Sequence, residues 1–178
     1  MFEFQDGDVI FTDQAFNPLS FWIKLLQGDF AYSHVCQYFG GSIYTTGAGG
    51  PLLYRFGTVE PEKYLKGKGY CVLRYQGLTK RQAHTMWDKA IDLIGNRYPI
   101  EKMMWLAIRG KTTGGVVKKL GFKPNPNPKN SFCSGSVALC FQAAGIKLNP
   151  NSGKLEPDAY SPEAVFDDKN LIEIYRSS

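Results

Sequence analysis

Short apolar runs bounded by turn residues set the strand pattern of this chain. Val9-Ile10-Phe11-Thr12 follows the turn Asp6-Gly7-Asp8 and predicts a short strand. His34 to Phe39 and Ser42 to Thr46 flank Gly40-Gly41, the signature of a tight hairpin whose turn needs positive φ. Tyr70 to Tyr75 and Leu171 to Tyr175 predict further strands. Helical spacing appears elsewhere. Asn17-Pro18 introduces a predicted helix from Leu19 to Leu26, with Phe21, Trp22, Leu25 and Leu26 on its apolar face. Thr79-Lys80-Arg81-Gln82 has capping-box spacing and opens a helix with Ala83, Trp87, Ala90, Ile91 and Ile94 on one face, closed by Gly95. A helix from Ile100 to Arg109 is expected next. Another runs from Ser134 to Ala144 and ends at Gly145, with Val137, Cys140, Phe141 and Ala144 as its buried stripe. Pro61 and Pro162 each start a short helix. Hairpin strands mixed with helices predict the α+β class.

At 178 residues and 43% hydrophobic content, the chain is expected to be a single domain over 1–178 with a real core. An extended Gly/Pro/Lys-rich loop is expected at about 111–130, where prolines at alternate positions forbid a helix. The first residues, Met1 to Asp6, lack the basic and apolar regions of a secretory signal, and no apolar run reaches the ~20 residues a membrane span needs. The expected location is cytoplasmic or within a virion or other assembly. Four cysteines in such a chain are expected to be reduced, with Cys36, Cys71 and Cys140 packed in the core. No C-x-x-C or H-x-x-x-H spacing occurs and there are two histidines, so neither a metal nor a cofactor is expected. Gly47 to Pro51 lacks the Gly-Lys-Ser/Thr and helix of a phosphate-cradling loop.

The net charge of +5 conceals an asymmetry. From Lys102 to Leu155 there is no Asp or Glu and there are nine basic residues, while the rest of the chain is net acidic. A positive field there suits an anionic polymer or a lipid surface; a solvated basic loop is the plainer reading. Specific nucleic-acid binding is not expected, because only Phe122 and Phe132 are interleaved with those lysines.

The candidate chemistry lies in two segments. Cys133, in Asn130-Ser131-Phe132-Cys133-Ser134-Gly135-Ser136, stands where a loop becomes a helix, and unpaired N–H groups at a helix start favour a thiolate. His34, in Ser33-His34-Val35-Cys36, starts a strand. A packed cysteine and a satisfied strand histidine are the plain alternatives. Polar Cys-Ser-Gly-Ser argues against the first, and pairing with a thiol argues against the second. His84 lies on an amphipathic helix and is expected at the surface. Cys36 points to the same strand face as His34.

In papain-like hydrolases the cysteine precedes the histidine; here the order is reversed. Gly7-Asp8-Val9-Ile10-Phe11, Ser33-His34-Val35, Gly95-Asn96-Arg97-Tyr98, Phe132-Cys133-Ser134 and Tyr160-Ser161-Pro162 occur in that order along nearly the whole chain. This ordered set resembles the circularly permuted NlpC-like group of papain-fold hydrolases, the YiiX-type proteins related to lecithin retinol acyltransferase. The resemblance implies a permuted papain-like fold, with a small antiparallel sheet or barrel packed against helices. It implies Cys133 as nucleophile and His34 as general base in amide, ester or acyl-transfer chemistry. Such proteins often carry a carboxylate on the strand after the histidine, but here no acidic residue lies between Asp29 and Glu60. Thr45 is the first candidate for that third role, with Tyr44 and Gln37 behind it; Pro99 also stands where an acid is expected after Tyr98. The expected activity is a thiol amidase or peptidase, on cell-wall peptide or other amide bonds. The alternatives are a lipid acyl hydrolase or acyltransferase, and a catalytically degenerate binding module of a phage or envelope assembly.

Overall fold

Among the described residues six strands pair antiparallel into one sheet: β1 (Val9–Thr12), β2 (His34–Phe39), β3 (Ser42–Thr46), β4 (Phe56–Val59), β5 (Tyr70–Tyr75) and β6 (Leu171–Arg176). Their spatial order is β4-β3-β2-β1-β5-β6. The computed structural model describes residues 2–13, 32–46, 55–96, 133–148, 160 and 162–177, and among them are four helices. These are α1 (Pro61–Leu65), α2 (Lys80–Leu93), α3 (Cys133–Ala143) and α4 (Pro162–Phe166). The expected α+β class is the observed one. The predicted helices at 19–26 and 100–109, and the loops at 47–51 and 111–130, lie outside the described residues.

The Gly40-Gly41 turn takes φ of 53° and 84°, the left-handed values a two-residue hairpin needs. Alternation along the strands then divides the core in two. Val9, Phe11, Val35, Phe39 and Tyr44 pack under α2 and α3 against Met86, Val137 and Phe141. Ile10, Cys36, Ile43 and Val72 form a second cluster with Leu65 of α1. No described helix is long and apolar enough to cross a membrane.

One strand was missed and one expectation needs correction. The β4 strand was not predicted: Phe56-Gly57-Thr58-Val59 is four residues long and interrupted by glycine, and β3 supplies its pairing. The capping box of α2 is present, with Thr79 Oγ1 accepting the Gln82 N–H at 3.2 Å and Gln82 Oε1 accepting the Thr79 N–H at 3.1 Å. Its buried stripe, however, is Ala83, Met86, Ala90 and Leu93, while Ile91 and Ile94 are exposed. Ile91 lies about 120° around the helix from the centre of that stripe. Ile94 falls after the last helical residue, with ψ of 137°. Trp87 is half-buried and stacks on Phe39.

The turn before β1 ties the sheet together. Gly7 donates to the Tyr38 carbonyl at 2.9 Å, Asp6 Oδ1 accepts the Gly40 N–H at 2.7 Å, and buried Asp8 holds Arg74 of β5 through Nε at 2.7 Å and Nη2 at 2.9 Å. Gly7 has φ of 91°, and a Cβ there would stand 2.3 Å from Leu78 Cδ2. Gly7→Ala is therefore expected to lower stability by about 1–2 kcal/mol, read as a lower urea midpoint at unchanged slope. An unchanged midpoint would refute the strain argument.

Candidate functional site

His34 is the first residue of β2 and Thr45 the fourth of β3, and the hairpin register sets them diagonally on one sheet face. The His34 Nε2 to Thr45 Oγ1 distance is 2.8 Å, and both side chains are buried. Thr45 Oγ1 also lies 3.3 Å from the Tyr64 hydroxyl of α1 and 3.3 Å from the Thr46 carbonyl. The Lys68 ammonium sits 3.6 Å from the centroid of the Tyr64 ring. Burial, and secondarily the Lys68 charge, lower the His34 pKa from 6.5 to about 3, so the imidazole is neutral at pH 7. A neutral ring is the proton-accepting form a general base requires.

Cys133 is the first residue of α3 and is buried. The first-turn N–H groups of this 11-residue helix have no intrahelical acceptors, so Cys133 adjoins donors and the positive end of the helix dipole. Ser136 Oγ closes on the Cys133 carbonyl at 2.8 Å, and Ser134 Oγ bonds the Tyr160 carbonyl, which anchors the first turn. The packing of α3 on the sheet falls on β2.

The site residues thus approach β2 from two sides. Alternation puts His34 with Cys36 and Thr45 on the face closed by α1. Cys133 belongs to the core layer between the sheet and α2 and α3. Cys133 bears electrostatically on Cys36, whose thiol burial pushes far above its ordinary value. Of the three candidates for the third role, Thr45 is the one that meets the His34 ring. Tyr44 and Gln37 are direct cross-strand partners on the α3 side, and both Gln37 amide atoms are buried with no hydrogen-bond partner among the described residues. Cys71 and Cys140 are buried as expected, and burial raises both thiols to about 12. His84 is exposed, 3.8 Å from Asp88. Sequence reasoning missed Tyr64, whose hydroxyl meets Thr45, and Lys68, whose charge bears on His34; Tyr64 arrives there because the five-residue α1 folds onto β3.

No protein-family model matches the sequence, and no curated protein matches it. Among solved structures, the chain is similar to the crystal structure of the metalloprotein yiiX from Escherichia coli O157:H7, with 20% identity, a TM-score of 0.63 and 99% of each chain covered. For a metal the described residues offer no fit: no three His, Cys, Asp or Glu side chains among them converge on one point. Over 99% of its length the chain is similar in fold to yiiX, an α+β arrangement built on one antiparallel sheet.

Proposed function

We propose that this protein is a cysteine-dependent hydrolase that cleaves amide or ester bonds through an acyl-enzyme. The observation that carries the reading is a buried, neutral His34 held by Thr45 at the start of β2, with the α3 that Cys133 begins packed on the same strand. In the proposed reaction His34 accepts the Cys133 thiol proton as the sulfur attacks the substrate carbonyl. N–H groups at the start of α3 stabilise the oxyanion. Collapse expels an amine or alcohol, which leaves with the proton from His34. Water, deprotonated by His34, then attacks the thioester; the acid departs and the thiol is restored.

The substrates favoured are peptide-type amides, with lipid acyl esters and acyl transfer as the neighbouring chemistry. An anionic polymer or lipid surface suits the basic stretch from Lys102 to Leu155. A second reading, a non-catalytic binding module in an assembly, is favoured by the strong opposition that burial and Lys68 raise to an imidazolium at His34.

Thiol reactivity separates the two. Cys71 and Cys140, at about 12, hold about one thiolate in 10^5 at pH 7, and Cys36 holds fewer. Iodoacetamide at pH 7 followed by peptide mass analysis is expected to give one rapid adduct, on Cys133, which Cys133→Ala removes. Equal, slow labelling of all four thiols would overturn the hydrolase reading.

A further inference from the structure

The residues behind His34 form a donor chain with one direction. The Cys36 thiol donates to the Ile10 carbonyl at 3.4 Å, and a carbonyl can only accept. The Cys36 sulfur is then left as an acceptor, and the Tyr64 hydroxyl faces it as a donor. The Tyr64 oxygen in turn accepts from Thr45 Oγ1 at 3.3 Å. Thr45 has one hydroxyl proton, and whether it goes to Tyr64 or to the Thr46 carbonyl, its oxygen is left to accept at 2.8 Å from the His34 ring. We infer that Tyr64 and Cys36 are positioning residues that, through Thr45, hold His34 as the tautomer with its proton on Nε2 and its lone pair on Nδ1. A carboxylate acts on a histidine by accepting one ring proton and so fixing which nitrogen is basic. Here a relay of neutral hydroxyl and thiol groups ending on a backbone carbonyl does the same work without charge.

High burial of Cys36 keeps its thiol protonated, so the last link of the chain persists across the neutral range. Lys68 lies over the Tyr64 ring and carries no proton acceptor into the chain. The inference takes its catalytic meaning from the proposed hydrolase, but it is read without turnover.

The test is the long-range proton–nitrogen NMR spectrum of the full chain labelled with 15N-histidine at pH 7. The two histidines make assignment direct, and exposed His84 serves as the averaging reference. His34 is expected to show a protonated Nε2 and an unprotonated Nδ1, at a ratio of about 10 to 1 or more. Tyr64→Phe removes one of the two acceptors of the Thr45 proton, leaving the Thr46 carbonyl at 3.3 Å, and is expected to lower that ratio about threefold, while Cys36→Ser, which keeps a donor and an acceptor, is expected to preserve it. An Nδ1–H ring in the unaltered chain, or a ratio unmoved by Tyr64→Phe, would overturn the inference. A fixed Nε2–H ring alongside an inert Cys133 would overturn the hydrolase and leave the relay standing.

Discussion

His34→Ala is expected to slow acyl transfer by about 10^2 to 10^4-fold, because the thiol and the attacking water both lose their proton acceptor. The same substitution is expected to make the fold more tolerant of acid. Burial and Lys68 hold the native ring at about 3, while the unfolded ring takes a proton near the ordinary 6.5. Between those values the unfolded chain binds a proton that the folded chain does not. Stability therefore falls as pH drops from about 6.5 towards 3, by on the order of 1.4 kcal/mol per unit. Above pH 6.5 this contribution is constant. Hydrolysis of p-nitrophenyl acetate measures the first effect, and urea unfolding at pH 7 and pH 5 measures the second. A rate unaltered by His34→Ala removes the ring from the mechanism. An equal stability loss at pH 5 in the parent and the variant removes the burial argument.

Asp8→Ala is expected to cost about 2–4 kcal/mol, more than Gly7→Ala. The Asp8 side chain has no exposed surface and accepts from the Gln5 N–H at 2.8 Å as well as from both Arg74 groups. Removing it leaves the Arg74 guanidinium, 27% exposed, facing the sheet without its bidentate acceptor. Solvent access to that guanidinium keeps the expected cost below that of a wholly enclosed pair. Asp8→Asn retains the shape and one acceptor and is expected to lose about half as much. Urea midpoints decide the matter: a shift below about 0.5 kcal/mol for Asp8→Ala would show that the pair does little for the fold.

Much of the sheet was legible because each strand carries its own punctuation. Gly40-Gly41 fixes the β2–β3 turn, and that turn fixes the register that sets Thr45 near His34. Cys133 was found from Ser-Gly-Ser after it and the apolar stripe beyond, which together mark a helix start. What was misread depends on neighbours distant in sequence. Met86 and Leu93 were passed over in favour of Ile91 and Ile94 because Trp87, Ile94 and Ile91 continue the apolar surface round one side of the α2 stripe, and only the position of α3 and the sheet sets where burial stops. Phe56 to Val59 is a strand because β3 offers an edge, not because its own residues demand one. Tyr64 and Lys68 carry no pattern at all; a tyrosine on a short helix and a lysine three residues past its end are ordinary until α1 is laid against the hairpin.

The strand order has a consequence for how the protein is born. The outer edge of β5 is covered by Leu171–Arg176, synthesised about a hundred residues later, and Ser177 then latches onto Tyr70. While the ribosome makes the intervening stretch, that edge of Tyr-Cys-Val-Leu-Arg-Tyr presents open backbone groups to any passing strand. Nascent chains stalled before residue 171 should therefore cling to holding chaperones, and release should coincide with arrival of the final strand.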